Sequence, residues 1–195
     1  QNPCDGKVYR KGMLANADES VLVVIDPQPK FMGGIFESAD VLARIRFLVQ
    51  VANLLEVPIL ITEQNPEKMG GCDPDLLAMI GKPAIPKMEF GAWKNEAFAD
   101  AMSETGRSQA VLVGIETHIC VCQTANQMMN DDFEVFVVGD AVSARTEAMH
   151  KMAIKRLRDS GAVIAHSESV AYEWMESASH PAFREVLNLV KAASA

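Results

Sequence analysis

The sequence predicts an α/β fold: a three-layer α/β/α arrangement around a doubly wound, six-stranded parallel sheet of order 3-2-1-4-5-6. Two observations point there. Six short apolar runs rich in Val, Ile and Leu alternate with stretches of helical periodicity, which is the signature of repeated βα units. The strongest runs are continuous rather than alternating, as suits strands covered on both faces. Right-handed crossovers then wind the sheet outward from its first strand in both directions. At 195 residues the chain is long enough for a full core. With no repeat, low-complexity tract or linker, residues 1–195 are expected to form one domain.

Residues 1–20 are polar and mixed, and are expected to form an N-terminal arm. Val21–Asp26 is the first strand, closed by Pro27 and Pro29. Ser38 is placed to cap a helix whose stripe is Val41, Leu42, Ile45, Leu48, Val49 and Ala52. Val57–Thr62 is the second strand, followed by the polar loop Glu63–Gly71 and a short helix from Asp73 to Ile80. Ala84–Lys87 is the third strand; Pro86 within it predicts an edge position. Asn95 caps the next helix. Ala110–Gly114 is the fourth strand, and Thr117 opens a helical pattern to Asp131. Phe133–Val138 is the fifth strand, ended by Gly139 and Asp140. A helix behind Ser143 or Thr146 follows, with Gly161 just past its end. Ala162–Ala165 is the sixth strand. Ser167 caps a short helix, and a last one after Pro181 carries Phe183, Val186, Leu187 and Val190.

Composition excludes several functions. Hydrophobic residues make up 49% and charged ones 23%, ordinary for a globular protein. The net charge of −8, with no long basic cluster, argues against nucleic acid and anionic membrane as partners. Lys151, Lys155, Arg156 and Arg158 fall on the solvated face of one helix. No apolar run is long enough to span a bilayer. The four cysteines, Cys4, Cys72, Cys120 and Cys122, match neither a zinc ribbon nor a disulfide framework. A reducing, cytoplasmic setting is the simplest expectation. The sequence starts at Gln1 rather than Met, so an upstream targeting segment, organellar or other, stands outside what it shows.

The stretch Ala110–Ala125 carries the chemistry. With Thr117 as cap, Cys120 falls at the third helical position, where the helix macrodipole favours a thiolate. One residue would then supply a nucleophile and an anion-binding amide. The alternative is a small buried hydrophobe, a common fate of free cysteine; on spacing alone the two readings weigh about equally. Ligands in open α/β sheets sit beyond the carboxyl ends of the strands. Asp26, Lys87 and Cys120 all fall there, and strands one and four are neighbours at the switch point. Asp26 would take the thiol proton and later activate water. Lys87 would hold that carboxylate ionised and favour the thiolate. The Cys120 amide, with that of Glu116 or Thr117, would hold an oxyanion.

Asp26 after its strand, Pro86-Lys87, and Gly114-Ile-Glu-Thr-His-Ile-Cys120-Val121 together resemble the isochorismatase-like cysteine hydrolase superfamily. The resemblance runs from about Val21 to Val190. Thr62-Glu-Gln64, Ser160-Gly-Ala162, Ser167-Glu-Ser169 and His180-Pro181 are most similar to the isochorismatase domain-containing proteins. The resemblance implies an Asp26–Lys87–Cys120 triad and a non-proline cis peptide at Ile115–Glu116 that aims an amide at the oxyanion. It also implies a homo-oligomer, to which Gln127–Asn130 is a candidate contributor.

The nicotinamidase branch of that superfamily holds a metal with histidines after strand two. Here that loop carries Glu63, Gln64 and Asn65, and His118, His150, His166 and His180 lack ligand spacing. No metal and no cofactor are expected. Phe31, Gln64, Phe90 and Trp93 are candidate pocket residues, with packing at the rim the competing reading for the aromatics. Glu116 is expected to bond backbone.

The function expected is a cysteine-dependent hydrolase of a small amide or related acyl compound, an amidohydrolase acting on non-peptide C–N bonds. The alternative is a catalytically quiet domain acting through protein contacts. A dinucleotide enzyme is excluded by the lack of Gly-x-Gly-x-x-Gly after strand one. A redox sensor would need Cys120 and Cys122 to meet, and residues two apart on a helix point to different sides.

Overall fold

The computed structural model describes residues 14–193; residues 1–13, most of the expected arm and Cys4 with it, lie outside them. Among the described residues, one sheet holds β1 (Ser20–Ile25), β2 (Ile59–Gln64), β3 (Ile85–Lys87), β4 (Gln109–Ile115), β5 (Glu134–Ser143) and β6 (Val163–Ala165). The order is β3-β2-β1-β4-β5-β6, and every pair is parallel. The helices are α1 (Pro29–Met32), α2 (Ser38–Leu54), α3 (Pro66–Met69), α4 (Pro74–Ile80), α5 (Glu96–Glu104), α6 (Cys122–Asn130), α7 (Glu147–Asp159), α8 (Ser167–Met175) and α9 (Phe183–Ala193).

Every residue of β1 and β4 is buried, which explains their continuous apolar runs. Leu22 and Val24 face a core completed by α2, α4, α8 and α9. Val21, Val23 and Ile25 face a second core with α5, α6 and α7. Each such side chain contributes about 1.5–3 kcal/mol relative to an exposed one. Pro86 sits on the sheet edge, in β3. Among the described residues no helix is long and apolar enough to cross a membrane.

Helix starts differ from expectation in a consistent way. Asn95 and Thr146 are caps, accepting from the amides of Phe98 and Met149. Ser38, Thr117 and Ser167 instead lie one residue inside, behind Glu37, Glu116 and His166. At Ser167 the reason is tertiary: its amide and hydroxyl both donate to the Asp140 carboxylate, so Ser167 has no need to act as the cap. His166 supplies the local bond, its ring nitrogen accepting from the Glu168 amide at 3.2 Å. The fifth strand also runs past Gly139. Leu112 pairs with Val137 but Gly114 pairs with Val142, a bulge that carries β5 on to Ser143.

At Gly114, β4 has no room for a side chain against β1. Here φ is 118°, and a Cβ would lie 2.1 Å from the Ile25 carbonyl oxygen. No other residue fits. The close approach brings Asp26 and the end of β4 to one point on the sheet's carboxyl edge.

Candidate active site

β1 ends at Ile25, and Asp26 turns the chain with φ of 50°, a left-handed conformation that Asp tolerates better than most residues. Its amide donates to the Thr62 carbonyl at 3.1 Å. The Thr62 hydroxyl in turn donates to Asp26 Oδ1 at 2.8 Å. One carboxylate oxygen is thereby fixed by β2.

Lys87 closes β3, and its side chain is fully buried, with Nζ 2.9 Å from Asp26 Oδ2. Its ammonium donates to Gln64 Oε1 at 2.6 Å and to the Glu89 and Phe90 carbonyls at 3.1 Å each. An ammonium has three hydrogens, and four acceptors surround it, so Asp26 Oδ2 shares Lys87 with Gln64 and the two carbonyls. A buried carboxylate oxygen in that state keeps the capacity to accept a proton.

Gln64 is the last residue of β2, not part of a loop. Its Nε2 donates to the Met88 carbonyl at 2.9 Å. Its backbone is held by Gln28, which accepts from the Gln64 amide at 2.6 Å and donates to the Gln64 carbonyl at 2.9 Å. Gln28 is completely buried and was not singled out from the sequence; a Gln between two prolines in a turn gives no sign of burial.

After β4 the Ile115–Glu116 peptide is cis. The chain then enters a wide turn, Thr117–Val121, of π-helical form before α6 begins. The Glu116 carbonyl accepts from the amides of Ile119 and Val121, at 3.0 and 3.3 Å. Thr117 is not a cap but a buried residue whose Oγ1 lies 3.0 Å from His150 Nδ1. Cys120 is the fourth residue of the turn, 8% exposed. Thr124 ties it down: its hydroxyl donates to the Cys120 carbonyl at 2.7 Å and accepts from the Ala92 amide at 2.9 Å.

The electrostatics of Cys120 correct the expectation of a resting thiolate. Burial pushes its thiol up to about 12, the Asp26 carboxylate adds to the rise, and Lys87 only partly opposes it. Desolvation outweighs the helix end. Cys120 therefore rests as a thiol beside a carboxylate. Cys122 is separate: it is a free buried cysteine, and its sulfur lies 3.6 Å from Asn126 Nδ2.

A pocket of about 80 Å³ brings together Asp26, Phe31, Gln64, Phe90, Ile115, Glu116, Ile119 and Cys120. Trp93 is not among its walls. Its ring packs edge-on against Phe133 with centroids 5.0 Å apart, and its Nε1 donates to Asp131. Ile119 is an addition, turned into the pocket by the π turn, which helical periodicity does not foretell. The Glu116 carboxylate does not bond backbone; its Oε2 lies 3.0 Å from Arg145 Nε and 3.7 Å from His118 Nε2. Among the described residues no three His, Cys, Asp or Glu side chains are grouped to hold a metal ion.

Residues 20–169 match the isochorismatase domain. The chain is 36% identical over 179 residues to mouse isochorismatase domain-containing protein 2A, covering 89% of this chain and 84% of that one. It is 32% identical to the zebrafish (Danio rerio) isochorismatase domain-containing protein 1 over 90% of this chain, but spans only 62% of that protein. Among solved structures, the MAR1 ribonuclease of Caenorhabditis elegans superimposes with a TM-score of 0.86 at 30% identity, covering 91% of this chain and 92% of that one.

Proposed function

The chain belongs to the isochorismatase family, and from that premise we propose that it is a cysteine hydrolase of a small amide or related acyl compound. In this reading Asp26 Oδ2 takes the Cys120 proton as sulfur attacks the substrate carbonyl. The amides of Thr117 and Cys120 are the candidates to hold the oxyanion, since neither is among those bonded to the Glu116 carbonyl. Collapse expels the amine, which leaves with the proton from Asp26. Water then attacks the thioester, Asp26 takes its proton, and the acid is released as Cys120 recovers its hydrogen. Lys87 keeps the carboxylate in place through its ion pair.

The observation that carries this reading is the setting of Asp26: one oxygen fixed by Thr62, the other paired with Lys87, and the carboxylate close enough to Cys120 to act on its thiol. A thiol pushed up by burial needs such a base at hand, because it supplies little thiolate by itself. The size of the pocket supports a small substrate. The net charge of −8 supports the same choice over RNA, whose backbone needs a basic face.

The test is a panel of small amides, with an RNA oligonucleotide as one member, run on wild type and Cys120→Ala. Turnover of an amide that vanishes in a folded mutant is expected. Equal rates in both proteins discard the covalent mechanism, and cleavage of RNA alone discards the substrate class. Assembly into a homo-oligomer belongs to the same reading. Met128, on the helix end expected to contribute, is buried in the core, so the better support is Met152 on α7, which is 75% exposed.

A further inference from the structure

Among the residues lining the pocket is a second carboxylate, with no part in the chemistry proposed above. Glu116 lines the pocket, and its two basic neighbours, the Arg145 guanidinium and the His118 ring, do not; both lie toward the same oxygen, Oε2. The other oxygen, Oε1, has no side-chain partner among the described residues. Apart from Gln64, whose amide is bonded to Lys87 and the Met88 carbonyl, the remaining lining residues, Phe31, Phe90, Ile115 and Ile119, are apolar, so a charge there is weakly screened. The cation nearest the nucleophile is fully committed: Lys87 Nζ is held by Asp26, Gln64 and two carbonyls. Beside the site there is thus a carboxylate oxygen without a side-chain partner among the described residues, while the nearest cation is held on all sides.

We propose that the Glu116 side chain is a specificity residue: it receives an N–H or ammonium group of the substrate beyond the scissile carbonyl, so the pocket takes neutral or cationic acyl compounds and turns carboxylates away. This rests on Cys120 being the reactive group, which the test checks separately. Cys120 is alkylated with neutral iodoacetamide and with anionic iodoacetate, and the modified residue is located by peptide mass. N-acetylcysteine gives the intrinsic rate ratio of the two reagents.

Iodoacetamide is expected to outpace iodoacetate at Cys120 by at least tenfold beyond that intrinsic ratio. Glu116→Gln brings the ratio back toward the intrinsic value. Arg145→Gln, at an exposed position, removes a cation beside Glu116 and widens the discrimination; it serves if Glu116→Gln fails to fold. Equal reactivity of both reagents in wild type, or a ratio that neither variant moves, overturns the proposal. Preferential labelling of Cys122 or Cys72 instead sinks the assignment of the nucleophile, and leaves the charge effect to be read as absent at Cys120. Where an amide substrate is in hand, matched ammonium, neutral and carboxylate amides should rank in that order in kcat/KM, and Glu116→Gln should flatten the order.

Discussion

Two buried polar clusters sit at opposite ends of the same central strands, and they differ in one respect. At the amino end, Trp174 Nε1 donates to Ser20 Oγ and Ser20 Oγ donates to Gln109 Oε1, both at 3.0 Å. Gln109 Nε2 donates to Glu134 Oε2 at 2.9 Å, and the Asn16 amide donates to Gln109 Oε1 at 2.8 Å. These polar atoms have their partners. At the carboxyl end, Asp26, Thr62, Gln64 and Lys87 are bonded as densely, but Asp26 Oδ2 pairs with a cation and lies by the Cys120 thiol. A satisfied buried network fixes a fold. A carboxylate set beside a thiol at a pocket is, under the proposed function, the part of the network that reacts.

Mutations at the two ends should separate these roles. The largest effect is expected from Asp26→Asn, which removes the base: turnover should fall about 10²–10⁴-fold. Next, Lys87→Met leaves Asp26 buried without its counter-ion and should cost about 3–5 kcal/mol of stability in denaturant titration. At the amino end, Ser20→Ala should cost about 1–3 kcal/mol by leaving partners unsatisfied, while activity per folded molecule stays at the wild-type level. If it lowered kcat as strongly as Asp26→Asn, the contrast between the clusters would collapse. Thr62→Val lies between the two roles: it releases Asp26 Oδ1, and kcat should drop about tenfold with KM little changed.

The smallest effect concerns His150, which contacts Thr117 at the head of the π turn. Burial lowers its pKa, against raising contributions from Glu37 and Glu147. A depressed value means the neutral ring is favoured in the fold. Its contribution is therefore present above about pH 6.5 and is lost as pH falls through the folded value. Wild type should lose more Tm than His150→Gln between pH 7.5 and pH 5.5; parallel losses would remove His150 from the account.

The sheet was legible because β1 and β4 are buried on both faces, and a short, unbroken run of β-branched residues between turn signals suits little besides such a strand. Asp26, Lys87 and Cys120 could be picked out because strand ends are short, polar and few. What escaped the sequence was decided by distant partners. Ser167 lost its cap role to Asp140 across the fold. Trp93 took Phe133 and Asp131 as neighbours instead of the pocket. The Cys120 thiol follows its burial more than its place on a helix, and burial depends on contacts that spacing does not display. Ile119 enters the pocket only through the extra width of the π turn.

The seam at Gly114 has a practical outcome for anyone reshaping this protein. With the Ile25 carbonyl 2.1 Å from where a side chain would begin, the β1–β4 junction next to Asp26 admits no remodelling. Room for bulkier molecules has to be carved from Phe90, which is 55% exposed on a loop, or from Phe31. The proposed reacting groups and the aromatic rim thus occupy separate parts of the architecture, and under that proposal selectivity is free to drift while the strand ends stand still.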